Sequence, residues 1–157
     1  VRRPAVFLDR DGTINREVNF LRRPEELEIL PGVGEGLRSL SAAGYALVVA
    51  TNQSGVARGY FTEETLAEIH ARLEELLVAE GVELAGIEYC PHHPEIGGER
   101  YALECPGRKP KPGMLLSAAE RLGLDLGASW MIGDSGRDLA AGEAAGARSL
   151  LVRTGNG

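Results

Sequence analysis

Residues 5–17 read AVFLDRDGTINRE, and this stretch decides the fold. Ala5 to Leu8 form a short apolar run of the kind that makes a buried strand, and Asp9-Arg10-Asp11-Gly12-Thr13 follows without a break. A strand that only has to turn needs one Asp or Gly at that point. Two carboxylates two residues apart repel unless something cationic holds them. Outward from this stretch the same succession recurs. YALVVA (45–50) is a second strand and runs into Thr51, Asn52, Gln53 and Ser54. GIEY (86–89) is a third and leads into a segment that ends in Arg108 and Lys109. SWMIG (129–133) is a fourth, followed by Asp134 and Asp138, and RSLLV (148–152) is a fifth.

Helical patterns lie between these runs. Val33, Leu37 and Leu40 recur at helical spacing over 32–44, closed by Gly44. Thr62 reads as an N-cap with Glu63 and Glu64 in the first turn. Leu66, Ile69, Leu73, Leu76 and Leu77 line one face of the helix that follows, and Gly81 ends it. Helices are also expected over 113–123 and 137–146. Residues 90–110 are rich in Pro and Gly and read as a long ordered loop. Strands alternating with helices imply an α/β fold, a three-layer Rossmann-like parallel sheet with helices on both faces. Ligands of such sheets bind at the carboxyl ends of the strands. Nearly all the unusual polar residues fall on that edge.

A length of 157 residues suits one domain, 1–157. The net charge of −6 and the lack of a basic block argue against a nucleic-acid partner. No apolar run approaches the ~20 residues of a membrane span. A cytoplasmic monomer with no membrane partner is expected, and its two cysteines, Cys90 and Cys105, are read as thiols or metal ligands.

Asp9, Asp11 and Asp134 converging on one edge are tolerable if Mg²⁺, which takes oxygen ligands, sits among them. The Thr51 hydroxyl, the polar cluster of Asn52, Gln53 and Ser54, and the cations Arg108 and Lys109 stand opposite. Donors and cations facing a carboxylate-bound metal suit a phosphoryl group. Taken singly, an Asp-Gly after a strand is a turn and an Arg-Lys pair is solvated surface. Their ordered recurrence at successive strand ends points to a small phosphate ester.

With these residues in hand, the sequence resembles the haloacid dehalogenase (HAD) superfamily. DRDGT matches its Asp-x-Asp-x-Thr motif, and VVATNQSG its second motif with Thr51 at the hydroxyl position. KPKPGM resembles the third, with Lys109 as the phosphate lysine and Lys111 on the surface, and MIGDSGRD matches Gly-Asp-x-x-x-Asp. LDRDGTIN, VVATNQSGVARGYFTEE, YCPHHP and GRKPKPGMLLSA further resemble the capless heptose-bisphosphate phosphatases, with the histidinol-phosphate phosphatases as near relatives.

The resemblance implies that Asp9 is the nucleophile, ionised at an ordinary pKa near ~3.9. It implies that Asp11 is the acid and base, its pKa tuned upward. Mg²⁺ would bind Asp9, the Asp11 carbonyl and Asp134. Thr51 and Lys109 would hold the phosphoryl oxygens and Asp138 would orient Lys109. Arg108 would contact substrate, and Glu17, Asn19 and Phe20, with 52–54, would contact sugar.

In these relatives the 90–110 loop is a zinc module. Cys90, His92 and Cys105 keep three ligand positions, but the fourth is Gly107, which offers no side chain. Either Zn²⁺ is bound with water, His93 or Glu104 completing the shell, or the loop relies on Pro91, Pro94 and Pro106. His70 is expected at the surface or partly buried. Other functions weighed are a histidinol-phosphate phosphatase, a nucleic-acid 3′-phosphatase and a non-catalytic sugar-phosphate binder.

Overall fold

A computed structural model of the chain describes residues 2–157. Its five strands are β1 (Ala5–Leu8), β2 (Ala46–Asn52), β3 (Gly86–Cys90), β4 (Trp130–Gly133) and β5 (Arg148–Leu151). All neighbours pair in parallel, in the order β3-β2-β1-β4-β5. The chain winds outward from β1 to β3, crosses back, and winds outward again through β4 and β5. The crevice beside β1 is therefore the switch point of the sheet.

Residue alternation along β1 sorts the helices onto two faces. Val6 and Leu8 pack with Leu37 of α1 (Val33–Ala42) and with Ile69, Leu73 and Leu77 of α2 (Glu63–Ala79). Ala5 and Phe7 pack instead with Met114, Leu115, Ala118 and Ala119 of the later helix at Gly113–Leu122, and with Ala145 of the one at Gly136–Ala145. Both faces of the central strands are dry, which is why β1 and β2 read as unbroken apolar runs. Thr62 caps α2 as expected, its hydroxyl accepting the Thr65 N–H at 3.1 Å.

Two details depart from the sequence reading. β2 runs on through Thr51 and Asn52, which pair with Tyr89 and Cys90 of β3. The 90–110 segment holds a helical turn, α3 (Gly98–Tyr101), too short for any periodicity to betray. The two remaining helices are then α4 (Gly113–Leu122) and α5 (Gly136–Ala145). Between β1 and α1 the only regular element among the described residues is a 3₁₀ turn at Pro24–Glu26, so no cap domain covers the crevice there. Among the described residues no helix is long and apolar enough to cross a membrane.

Candidate active site

Asp9 leaves β1 with its N–H still bonded to Ile132 O of β4, at 3.0 Å, so its position is set by the sheet. Gly12 turns the chain immediately after, at φ +86°, and a Cβ there would collide with the Asp134 carboxylate. Arg10 points the other way and is wholly buried. Its Nε and Nη2 donate to the two oxygens of Asp11, at 3.0 and 2.9 Å. Asn15 Nδ2 and Gln53 Nε2 also donate to Asp11, each at 3.0 Å. The Arg between the two carboxylates is thus the clamp of the second one.

These contacts invert the expected tuning of the pair. Burial pushes Asp11 up, but the Arg10 charge and the hydrogen bonds from Asn15, Gln53 and Arg10 outweigh it, and its carboxyl lies below its ordinary value. Asp9 is pushed up to about 7, by burial and by the negative charges of Asp138 and Asp11, against the opposing pull of Lys109. An ordinary pKa for Asp9 and a raised one for Asp11 were the natural expectations. Without a metal the two differ in the other direction, because Arg10 pairs with Asp11 and not with Asp9, and because Asp9 shares its lysine with Asp138.

That lysine is Lys109, only 3% exposed. Its ammonium donates to Asp9 Oδ1 at 3.0 Å, to Ala50 O at 2.8 Å and to Asp138. A backbone clamp holds it in place. Asn52 Nδ2 donates to Lys109 O at 3.1 Å, and Lys109 N–H donates to Asn52 Oδ1 at 2.9 Å. Lys111 is half-exposed and pairs with Glu104 at 2.7 Å, remote from this network. Thr51, at the end of β2, is buried beside the site and accepts from Gln53 Nε2 at 2.9 Å. Gln53 itself is buried and does not line the cleft, so it supports Thr51 and Asp11 rather than reaching toward a ligand.

Carboxylate oxygens of Asp9, Asp134 and Asp138 lie within 4.8 Å of one another. Asp138 is fully engaged, with Lys109 on one oxygen and the Ser135 N–H and hydroxyl on the other, each of the latter at 3.1 Å. That leaves Asp9 and Asp134 as hard oxygen donors at the mouth, a set that fits Mg²⁺.

The mouth opens into a cleft of about 580 Å³. Ser54, Glu17, Asn19 and Phe20 all reach it, as expected. Asn19 and Phe20 take positive φ, 54° and 62°. Glu17 accepts the Asn19 N–H at 2.6 Å, and the Phe20 ring packs edge-on to Tyr60. Arg108 lines the cleft and donates to His92 O at 3.0 Å. Burial and the neighbouring charges of Arg137 and Arg58 push its guanidinium below its ordinary value. Arg58 and Arg137 also line the cleft, and the sequence reading missed both. Their signal was only proximity to the strand ends.

The geometry also places His70 and the cysteine loop. His70 is not at the surface. It is 6% exposed and its Nε2 lies 3.1 Å from Arg10 Nη1. The cysteine loop does gather its three donors, with Cys90 Sγ 3.7 Å from His92 Nδ1 and Cys105 within 4.8 Å of both. His93 Nδ1 is occupied by the N–H groups of Glu95 and Ile96. Glu104 is held by Lys111. The protein donor set is therefore three, one short of a closed structural zinc site. Burial pushes the Cys90 thiol up to about 12, so it carries its proton when no metal is bound.

A carboxylate at the end of the central strand, a hydroxyl at the end of the next, a buried lysine and a second carboxylate pair define a HAD-type phosphatase. A HAD-hydrolase-like family model matches residues 107–157. The D-glycero-β-D-manno-heptose-1,7-bisphosphate 7-phosphatase of Photorhabdus laumondii is 47% identical over 153 residues, spanning 97% of this chain and 81% of the relative. The enzyme of the same name from Vibrio cholerae is 47% identical over 154 residues, spanning 98% and 83%. The crystal structure of D,D-heptose 1,7-bisphosphate phosphatase from B. bronchiseptica, complexed with magnesium and phosphate, superposes with a TM-score of 0.86. It is 40% identical and the match covers 98% of this chain and 82% of that one. The chain belongs to the D-glycero-β-D-manno-heptose-1,7-bisphosphate 7-phosphatase family of HAD phosphatases.

Proposed function

We propose that this protein removes the 7-phosphate of D-glycero-β-D-manno-heptose 1,7-bisphosphate, through an aspartyl-phosphate on Asp9. The observation that carries this reading is the Asp9–Lys109–Asp138 cluster facing Asp134 at the mouth of a cleft walled by Arg58, Arg108 and Arg137. One end holds a nucleophile and a phosphoryl-binding ammonium. The other presents guanidinium groups, whose planar forks suit a second phosphate. The relatives named for a bisphosphate substrate support the same assignment.

Asp9 and Asp134, with the Asp11 carbonyl, would hold Mg²⁺. When bound there, the cation supplies positive charge against the phosphoryl oxygens and keeps Asp9 ionised. An Asp9 oxygen forms a bond to phosphorus as the bond from phosphorus to the sugar oxygen breaks, and that oxygen takes a proton from Asp11, which has to enter the step protonated against the pull of Arg10. Asp11 then takes a proton from the water that splits the acyl phosphate, returning Asp9 and releasing phosphate. Its pairing with Arg10 favours this second task. Lys109 and Thr51 hold the equatorial oxygens in both halves. Arg108 and Arg137 grip the phosphate that is not transferred, and the wall of Glu17, Asn19, Phe20 and Ser54 meets the sugar.

Zn²⁺ held by Cys90, His92 and Cys105 would brace the loop whose His92 carbonyl anchors Arg108. The test is phosphate release across a panel holding both anomers of the heptose bisphosphate, the monophosphate and histidinol phosphate. The β-anomer should be hydrolysed with the highest kcat/KM. Faster turnover of histidinol phosphate would move the protein to that neighbouring activity. Binding without turnover of any ester would make it a sugar-phosphate binder.

A further inference from the structure

Arg10 and His70 form a buried pair that the chemistry above leaves unused. Arg10 is 0% exposed and His70 6%. A guanidinium has five N–H donors and no acceptor, and it stays protonated in a protein. Two of its edges are spent on Asp11. The third, Nη1, meets His70 Nε2 at 3.1 Å. Since Nη1 can only donate, Nε2 has to accept, and the ring is the neutral tautomer with its proton on Nδ1. An imidazolium there would set two like charges together in the protein interior.

His70 stands on α2, an element whose burial against the sheet is fixed by Ile69, Leu73 and Leu77. It therefore gives the guanidinium a fixed third point of attachment. Asn15 and Gln53 hold the Asp11 carboxylate from its other side, but on the guanidinium itself both other contacts go to that one carboxylate, so the fork could still tilt about it. With the third on a packed helix, it cannot.

We infer that His70 is a positioning residue of the phosphatase site, holding the Arg10 fork so that the Asp11 carboxylate keeps the orientation its proton transfers need. This rests on the reading of Asp11 as the proton carrier given above. The alternative is a histidine that merely satisfies the core, which would affect stability and not turnover.

The pair His70→Met and His70→Gln separates the two, with p-nitrophenyl phosphate as substrate in saturating Mg²⁺. Methionine fills similar space without a strong acceptor, whereas the Gln carbonyl accepts from Nη1. In His70→Met kcat should fall roughly tenfold or more with KM within about twofold, as misplacement of a reacting group predicts. His70→Gln should recover most of the loss. A lower melting temperature in His70→Met with wild-type kcat would overturn the inference. Asp11→Asn, assayed alongside, keeps the two readings apart. Full turnover in Asp11→Asn sinks the proton-carrier role, and the inference with it. An inactive Asp11→Asn beside a fully active His70→Met sinks only the role of His70. Should His70→Met fail to fold, ¹⁵N NMR of the wild-type ring decides. A neutral ring protonated on Nδ1 supports the pairing, and an Nε2–H ring or an imidazolium at neutral pH overturns it.

Discussion

Asp9 and Asp11 are chemically the same side chain two residues apart, and their neighbours set them to opposite tasks. Asp11 has a guanidinium and two amide donors that hold its carboxyl below the ordinary value. Asp9 is buried with a lysine that Asp138 also claims. Asp9→Asn keeps the shape and removes the anion, so Mg²⁺-dependent phosphate release should drop by orders of magnitude. Full activity in that variant would end the aspartyl-phosphate proposal. Lys109→Ala should cost about 2.7–4 kcal/mol of transition-state stabilisation, the loss typical of one donor facing developing charge. Lys111→Ala should cost almost nothing, because Lys111 reaches only Glu104 at the surface. Comparing kcat for the two variants checks this, and equal losses would refute it.

At the strand ends, Asp9, Thr51 and Asp134 were legible because each follows an apolar run, and Lys109 because KPKPGM resembles the third motif. What lay hidden was the direction in which side chains leave the backbone. Arg10 and Asp9 are adjacent, yet one enters the interior and the other the cleft. Asn52 lines the cleft, and its amide also bonds the backbone of Lys109 at both ends, a pairing across 57 positions that no local pattern encodes. His70 is the instructive miss. It lies four residues after Leu66, three before Leu73 and seven before Leu77, which is the buried stripe of α2. A titratable residue was set aside from a face that its spacing assigned it to.

The cysteine loop invites a separate test. Cβ at Gly107 would stand 3.5 Å from Cys105 Sγ, ordinary contact with room for a side chain. Gly107→Cys should therefore complete a four-ligand site, slowing zinc loss to a chelator, measured by a metallochromic dye. No change in retention would mean that the loop does not present its donors to one ion.

The assembled molecule carries a net charge of −6, yet gathers Arg58, Arg108, Lys109 and Arg137 around one cleft. Asp9, Asp11, Glu17, Asp134 and Asp138 line the same cleft, so the pull on an anionic ester should grow when Mg²⁺ is bound and weaken with salt. Titration acts on the fold as a unit as well. Burial and the Arg10 charge hold His70 down at about 3, against an ordinary 6.5. Below pH 6.5 the unfolded chain takes up a proton that the native ring refuses. The contribution of neutral His70 is thus complete above 6.5 and lost as pH falls toward 3, at up to about tenfold in the unfolding constant per pH unit. Asp9 runs the other way without metal. Its raised pKa makes the native state hold a proton between 3.8 and about 7, so its contribution is lost as pH rises through that window. The difference between wild type and His70→Met isolates the histidine. Urea melts should show the wild type's advantage shrinking as pH falls from 6.5 toward 4, and a constant advantage would contradict a buried neutral ring.

The central position of β1 has a consequence for how the protein is made. Val6, Phe7 and Leu8 leave the ribosome long before β4, yet one of their two hydrogen-bonded neighbours is the segment 130–132. Until that segment follows, a nascent chain holds β1, β2 and β3 with an apolar strand bare along one side, a template for pairing with other chains. Slow or interrupted translation should therefore be hazardous late, just short of β4. A fragment of residues 1–125 expressed alone should partition into aggregates, while extension through β5 restores solubility, as sedimentation of the lysates would reveal. A soluble, monomeric fragment would mean that residues 1–125 close their own edge.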